Sequence, residues 1–231
     1  EAIRLVDPRA LIFVEADSMR MPPPWGAGDA ERIVFAPHWY DGMTLLRKSF
    51  LSWLTVHPET RKITLGAKRV QVCLNGQIAD TLRHSAAAMG HAPTLIGEVG
   101  IPFDMQNKKA YRSGDFTMQE QAMDASMTAL EQNFASFVLW NYTADNTNRR
   151  GDLWNDEDLS IFSRDQQKDG RDPNSGGRAL PAVVRPYAQK IAGEPLRMSF
   201  DLKRGIFEFE FRHDPHVEAP TEIFLPSFHY S

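Results

Sequence analysis

Leu95-Ile96-Gly97-Glu98-Val99-Gly100-Ile101-Pro102-Phe103-Asp104 decides how this chain is read. Pro93, Thr94, Leu95 and Ile96 are apolar or β-branched and follow the turn-like Gly90-His91-Ala92, so they read as a buried strand. An acid appears where that strand ends, between Gly97 and Gly100. Glycine is a poor strand residue, and its usual use is to let another group approach the backbone closely. A carboxylate at the C-terminal tip of an apolar parallel strand is where a βα-barrel enzyme keeps its chemistry. In isolation, Glu98 could equally be a strand-ending acid that caps the next turn, so the rest of the chain has to decide.

Upstream and downstream the same unit recurs. Leu11-Ile12-Phe13-Val14-Glu15 is an apolar strand ending in an acid, and Ile33-Val34-Phe35-Ala36-Pro37 runs into His38-Trp39-Tyr40-Asp41-Gly42. Phe134 to Trp140 is another apolar run, followed by Asn141-Tyr142-Thr143. Between and around these strands, helices are expected at about Thr44–Val56, Gln77–Met89, Thr117–Asn133 (capped at Thr117, with Glu120 three positions on) and Ala182–Ile191. Residues 1–6 read as the end of a further helix, and the proline-rich stretch from Met21 to Asp29 as a loop. Four strand-then-helix units, each strand reading as buried on both faces, argue for a parallel sheet covered by helices. No glycine-rich phosphate turn follows the first strand, which disfavours a doubly wound sheet and favours a barrel. A whole barrel takes eight strands and ~250 residues; only four strands fit before residue 192.

After Gly193-Glu194-Pro195 the pattern switches to period two. Met198 to Asp201 and Ile206 to Phe211 alternate across a Lys203-Arg204-Gly205 turn, and Ile223 to Pro226 would be a third strand. This reads as the start of an antiparallel sandwich, which gives 1–192 as the C-terminal half of a barrel and 193–231 as a second domain begun.

Composition limits the function. With 42% hydrophobic residues, a net charge of −4 and a pI near 6.0, the chain can bury a core but lacks the basic surface a nucleic acid would need. One cysteine, Cys73, rules out an internal disulfide, and the seven histidines lack metal-ligand spacing. No cofactor is therefore expected. No apolar run reaches the ~20 residues of a membrane span. The compartment is left open, with cytoplasm or vacuole expected.

The strand tips carry Glu15, His38 with Tyr40, Glu98, and Trp140 with Asn141. A sugar ring needs aromatic faces and imidazole or amide groups for its hydroxyls, and a tyrosine hydroxyl beside a carboxylate can orient it as a nucleophile. Singly, Trp140 reads first as core packing and His38 as a satisfied core histidine. Together, at one end of successive strands, they read as a site.

These motifs also resemble glycoside hydrolase family 5. Ile-Gly-Glu-Val-Gly-Ile-Pro-Phe-Asp-Met around Glu98, Phe-Ala-Pro-His-Trp-Tyr-Asp-Gly around His38 and Phe-Val-Leu-Trp-Asn-Tyr around Trp140 carry the resemblance. Residues 151–161 (Gly-Asp-Leu-Trp-Asn-Asp-Glu-Asp-Leu-Ser-Ile), Arg185-Pro186-Tyr187-Ala188 and Pro220-Thr221-Glu222-Ile223 are similar to its endoglycoceramidase-like branch, which includes fungal glucosylceramidases and steryl β-glucosidases. The resemblance implies a retaining β-glycosidase on a (β/α)8 TIM barrel with a C-terminal β-sandwich. Glu98 would be the nucleophile on strand seven, Tyr40 its orienting partner on strand six, and His38, Trp140, Asn141 and Glu15 substrate-binding residues. The implied substrate is a glycolipid or steryl glucoside, which leaves room for a peripheral membrane contact. An apolar aglycone would meet the Met19–Trp25 loop and Phe103-Asp104-Met105.

One departure stands out. The family's acid/base lies in an Asn-Glu-Pro tripeptide on strand four, and this sequence has none; Gly193-Glu194-Pro195 falls at the expected domain junction. The chain therefore reads as strands five to eight, partnered by a missing N-terminal half and inactive by itself. The other reading is a non-catalytic half-barrel that serves as a binding or assembly element.

Overall fold

The computed structural model describes residues 2–16, 22, 24–26, 28–29, 31–90 and 92–230. In chain order, α1 (Ala2–Val6), β1 (Ile12–Val14) and β2 (Ile33–Phe35) lead into α2 (Gly42–Arg47) and a hairpin of β3 (Leu54–Val56) and β4 (Ile63–Leu65). Then come α3 (Ala67–Met89), β5 (Leu95–Val99), α4 (Met105–Ser113), α5 (Thr117–Glu131), β6 (Ser136–Leu139) and α6 (Leu180–Val183). The chain closes with β7 (Tyr187–Lys190), β8 (Gly193–Asp201), β9 (Ile206–His213) and β10 (Glu222–Phe224).

The four apolar runs form the expected parallel series. β1 pairs with β2 from Ile12 against Ile33 to Val14 against Phe35, and β5 pairs with β6 from Leu95 against Ser136. Parallel bridges Phe35–Thr94 and His38–Glu98 join the two pairs, giving the spatial order β1-β2-β5-β6. Helices α3 and α5 cover it. Val70, Leu74 and Ile78 recur every four residues on α3 and meet Ile96 and Val99 of β5 with Met123, Met127 and Leu130 of α5 in one core. A smaller cluster packs Ile33, Phe35 and Met89 with Ile12 and Val14. The outer strands are less covered than expected: Phe13 is 56% exposed and Val138 49%.

Four local expectations are corrected. The helix expected over Thr44–Val56 stops at Arg47, because Lys48 turns left-handed (φ +47°), and the β-branched Thr55-Val56 enters the β3–β4 hairpin instead. Helix α3 begins at Ala67 rather than Gln77. Thr117 is the first residue of α5 and not its cap; the Asp115 carboxylate accepts its N–H at 3.0 Å. The helix expected over Ala182–Ile191 ends at Val183, since Pro186 has no N–H and biases Arg185 away from helix, and Tyr187–Lys190 becomes β7. Strand β10 pairs antiparallel with β7 and does not extend the β8–β9 sheet. The β8–β9 hairpin itself has the predicted alternation, with Gly205 (φ +64°) in its turn.

One buried ion-pair network ties the C-terminal strands to the helical layer. Arg185 donates to Glu131 through Nε (2.5 Å) and Nη2 (2.8 Å), to Asp124 through Nη1 (2.5 Å) and to the Phe200 carbonyl at 3.2 Å. Burial pushes the Glu131 carboxyl up, and the hydrogen bond from Arg185 opposes that push. Arg185→Ala should therefore cost about 3–5 kcal/mol, the usual result of stranding a buried charge. Without Arg185 the folded-state pKa of Glu131 rises further above its unfolded value. The carboxyl can then protonate in acid at no loss, and stability falls as pH rises through the folded pKa. Urea denaturation of both proteins should show a smaller defect at pH 5 than at pH 8.

Candidate active site

Two backbone hydrogen bonds set the site. Gly97 N–H donates to the Pro37 carbonyl at 2.8 Å, and Trp39 N–H donates to the Glu98 carbonyl at 2.9 Å. They hold the tip of β2 in register with the tip of β5, so alternate residues His38 and Tyr40 fall beside Glu98. A β-carbon on Gly97 would come 3.0 Å from the Ala36 carbonyl oxygen and 3.4 Å from His38, which is why the residue before the acid carries no side chain.

The side chains converge as the strand tips suggested. Tyr40 donates its hydroxyl to Glu98 Oε2 at 2.8 Å, and His38 Nδ1 lies 3.1 Å from the same oxygen. His38 Nε2 is 3.3 Å from Glu15 Oε1, so one imidazole spans the acids of β1 and β5. Burial, then the hydrogen bond to Glu98 and the nearby charges of Glu98 and Glu157, push the Tyr40 phenol far above its usual range. The phenol stays protonated and acts as a donor. Glu98 is 23% exposed, enough for a ligand to reach it.

Trp140 reaches the site through the backbone: its N–H donates to the Val99 carbonyl at 2.9 Å, and its peptide to Asn141 is cis. Asn141 is adjacent, but its amide is engaged elsewhere. Nδ2 donates to Asp152 at 3.3 Å and Oδ1 accepts from Thr143 at 2.9 Å. The loop beyond β6 is fastened below the site. Asn146 donates to Asp152 (2.7 Å) and Asp158 (2.9 Å), while the fully buried Arg178 donates to Asp158 at 2.5 Å and lies over the Phe103 ring at 4.2 Å.

Several expectations about the mouth of the site change. Phe103 and Met105 lie in the core, 0% and 1% exposed, so they cannot meet an aglycone. Met19 and Met21 lie outside the described residues. Tyr142, Leu153 and Trp154, on the loop that follows β6, are 55–65% exposed. Glu157 was not singled out by sequence reasoning, although it lies inside the 151–161 motif. Burial, then Asp152 and Glu98, raise its carboxyl, and Lys48 opposes them. The ion pair of Lys48 with Asp104 at 2.5 Å was also unforeseen. Among the described residues no group of three or more His, Cys, Asp or Glu side chains is placed to hold a metal ion, and no helix is long and apolar enough to cross a membrane.

At the tip of β5, Glu98 is held at one oxygen by a phenol and an imidazole and is open to solvent. Residues 185–231 match the glycoside hydrolase family 5 C-terminal domain. A glucosylceramidase of Rhizopus delemar is 34% identical over 99% of this chain and 37% of its own length, and an ergosteryl-β-glucosidase of Saccharomyces cerevisiae is 26% identical over 99% and 39%. The crystal structure of Cryptococcus neoformans sterylglucosidase 1 with tris superposes at a TM-score of 0.90, with 33% identity over 97% of this chain and 35% of that one. The chain is thus similar along nearly its whole length to glucosylceramidases and steryl glucosidases, and its parallel strands and covering helices are consistent with a TIM-barrel fold. It spans little more than a third of the length of these relatives.

Gly100 offers a structural check on the site. A β-carbon there would sit 2.1 Å from the Trp140 carbonyl oxygen, a backbone atom with nowhere to go. Gly100→Ala should cost about 1–3 kcal/mol, as overpacking does. It should also change the near-ultraviolet circular dichroism through Trp140, and an unchanged denaturation midpoint would show that β6 is not held this closely against β5.

Proposed function

We propose that this chain carries the nucleophile half of a retaining β-glycosidase acting on glucosylated lipids, glucosylceramide or a steryl β-glucoside. The observation that carries the proposal is Glu98, gripped at one oxygen by Tyr40 and His38 and open to solvent. In a double displacement, Glu98 attacks the anomeric carbon while an acid protonates the departing aglycone oxygen. The same residue, now a base, then draws a proton from the water that releases the sugar. That second carboxyl must lie ~5–5.5 Å from the first. We assign it to an Asn-Glu-Pro on a barrel half that lies outside these 231 residues. In this reading 1–192 supply strands five to eight and 193–231 begin a β-sandwich.

Two features support the finer parts. The exposed Tyr142, Leu153 and Trp154 give an apolar rim suited to a sterol or ceramide. The apolar outer strands, with Phe13, Phe137 and Val138 exposed, suit docking onto further barrel strands. The same edges favour the alternative, an assembly element without catalysis of its own.

In a protein that joins this chain to the Asn-Glu-Pro half, Glu98→Gln should abolish turnover and prevent covalent labelling by a 2-deoxy-2-fluoro glucoside. Labelling that persists would remove Glu98 from the role. Tyr40→Phe removes a hydrogen bond to a charged group, and kcat should fall about ten- to hundred-fold. Residues 1–231 alone should leave an unactivated β-glucoside intact, since general acid catalysis typically supplies ~10²–10⁴-fold. Turnover by the isolated chain would put the acid within it and make Glu15 the first suspect.

A further inference from the structure

We propose that Glu157 reads the hydroxyl pattern of the sugar, accepting hydrogen bonds from hydroxyls away from the anomeric carbon. This rests on the glucosidase reading above and adds a specificity-determining residue to it. The loop that carries Glu157 is closely built. Asp152 N–H donates to the Glu157 carbonyl and Glu157 N–H to the Trp154 carbonyl, both at 2.9 Å. Gly151, at φ +58°, passes so near the same carbonyl that a β-carbon would sit 2.1 Å from it. Leu153, Asn155 and Asp156 all have positive φ, an uncommon conformation for side-chain-bearing residues, so the turn is held by its anchors and not by local preference.

Those anchors lie on both sides of Glu157. Asp152 accepts from the Leu159 N–H at 2.8 Å and from Asn146, and Asp158 is paired with the buried Arg178. The segment is also fastened to the strand tips. Asn141 N–H donates to the Leu159 carbonyl at 3.2 Å, and Phe103 N–H donates to the Asp158 carbonyl at 2.7 Å. The backbone of Glu157 is therefore fixed.

Its carboxylate is nonetheless unspent. Among the described residues, its side chain makes no hydrogen bond or ion pair, although it is half-buried within electrostatic reach of Glu98, Tyr40, Asp152 and Lys48. Burial first, and the neighbouring Asp152 and Glu98 after it, make that placement costly, as the upward push on its carboxyl records. A carboxylate offers only acceptors, and the neutral donors suited to it at such a site are hydroxyls. Glu98 must face the anomeric carbon, so an acid on the separate loop beyond β6 meets a different part of the ring. A site that commits an otherwise unpaired, partly buried acceptor to a hydroxyl discriminates against an analogue lacking it.

The test compares wild type, Glu157→Gln and Glu157→Ala in the protein that includes the acid/base half. The substrates are an aryl β-glucoside and its 3-, 4- and 6-deoxy analogues. Wild type should penalise one or two of the deoxy sugars. Glu157→Ala should cut kcat/KM for the glucoside about ten- to hundred-fold, chiefly through KM, and bring that penalty close to unity. Glu157→Gln, which keeps one acceptor, should recover part of the loss. A uniform drop on all four substrates, or no drop, overturns the proposal. Calorimetry with a β-glucoside and its deoxy analogues on Glu98→Gln protein decides the matter without turnover. Failure of that protein to bind any glucoside rejects both the glucosidase reading and this one. Binding that discriminates equally well with and without Glu157 rejects this one alone.

Discussion

The site depends on a backbone constraint: the parallel register between the tips of β2 and β5. Two hydrogen bonds, Gly97 to Pro37 and Trp39 to Glu98, pin the strands where regular pairing is giving out. Side chains alternate along a strand, so this register puts His38 and Tyr40, two residues apart, on the face that Glu98 shares. A slip of one residue would present Trp39 instead, which is buried and donates its indole N–H to Gln77 in the core. The chemistry of Glu98 and the packing of α3 thus depend on the same register.

Charge is handled differently at the two ends of the sheet. Away from the site, Arg185 satisfies Glu131 and Asp124, and below it Arg178 satisfies Asp158; these acids have partners that use most of their acceptor capacity. Such networks contribute little net stability, because desolvating both charges offsets their attraction, but breaking them is expensive. They fix where the C-terminal strands and the 141–180 loop attach. At the site the acids are only partly satisfied: Glu98 has two partners at one oxygen, and Glu157 has none among the described residues. The unspent acceptors are found where a ligand could come.

How far all this could be read from the sequence depended on range. The apolar runs ending at Glu15, Glu98 and Trp140 exposed the parallel strands, because burial on a sheet leaves continuous hydrophobic stretches and the polar residue that interrupts each one marks its tip. His38, Tyr40 and Glu98 were accessible for that reason. The β3–β4 hairpin was not, since no glycine or proline interrupts the chain between Met43 and Val56, and the helix ends only at the left-handed turn of Lys48. The end of α6 was available in Pro186 and was outweighed by the apolar pattern around it. Glu157 had no such signal. It lies in a loop without period, and its proximity to Glu98 arises from anchors at Asn141, Asn146 and Arg178 that are distant in sequence.

The balance of charge around Glu98 bears on the proposed chemistry. Glu15, Glu98, Glu157 and Asp152 gather near one strand end, against His38 and a Lys48 already paired with Asp104. Such a field repels anionic ligands and accommodates a neutral polyol. It also favours the positive charge that spreads over the anomeric carbon and ring oxygen as a glycosidic bond breaks, because the oxocarbenium-like transition state is more cationic than the bound sugar. Glu98 then neutralises that charge by forming a bond, and the neighbouring acids lower the cost of reaching it. In the proposed mechanism, grouping these acids around a single, already paired lysine prepares the site for the step assigned to Glu98. On that proposal, Tyr40 and His38, a neutral donor and an imidazole, hold Glu98 where an arginine would quench it.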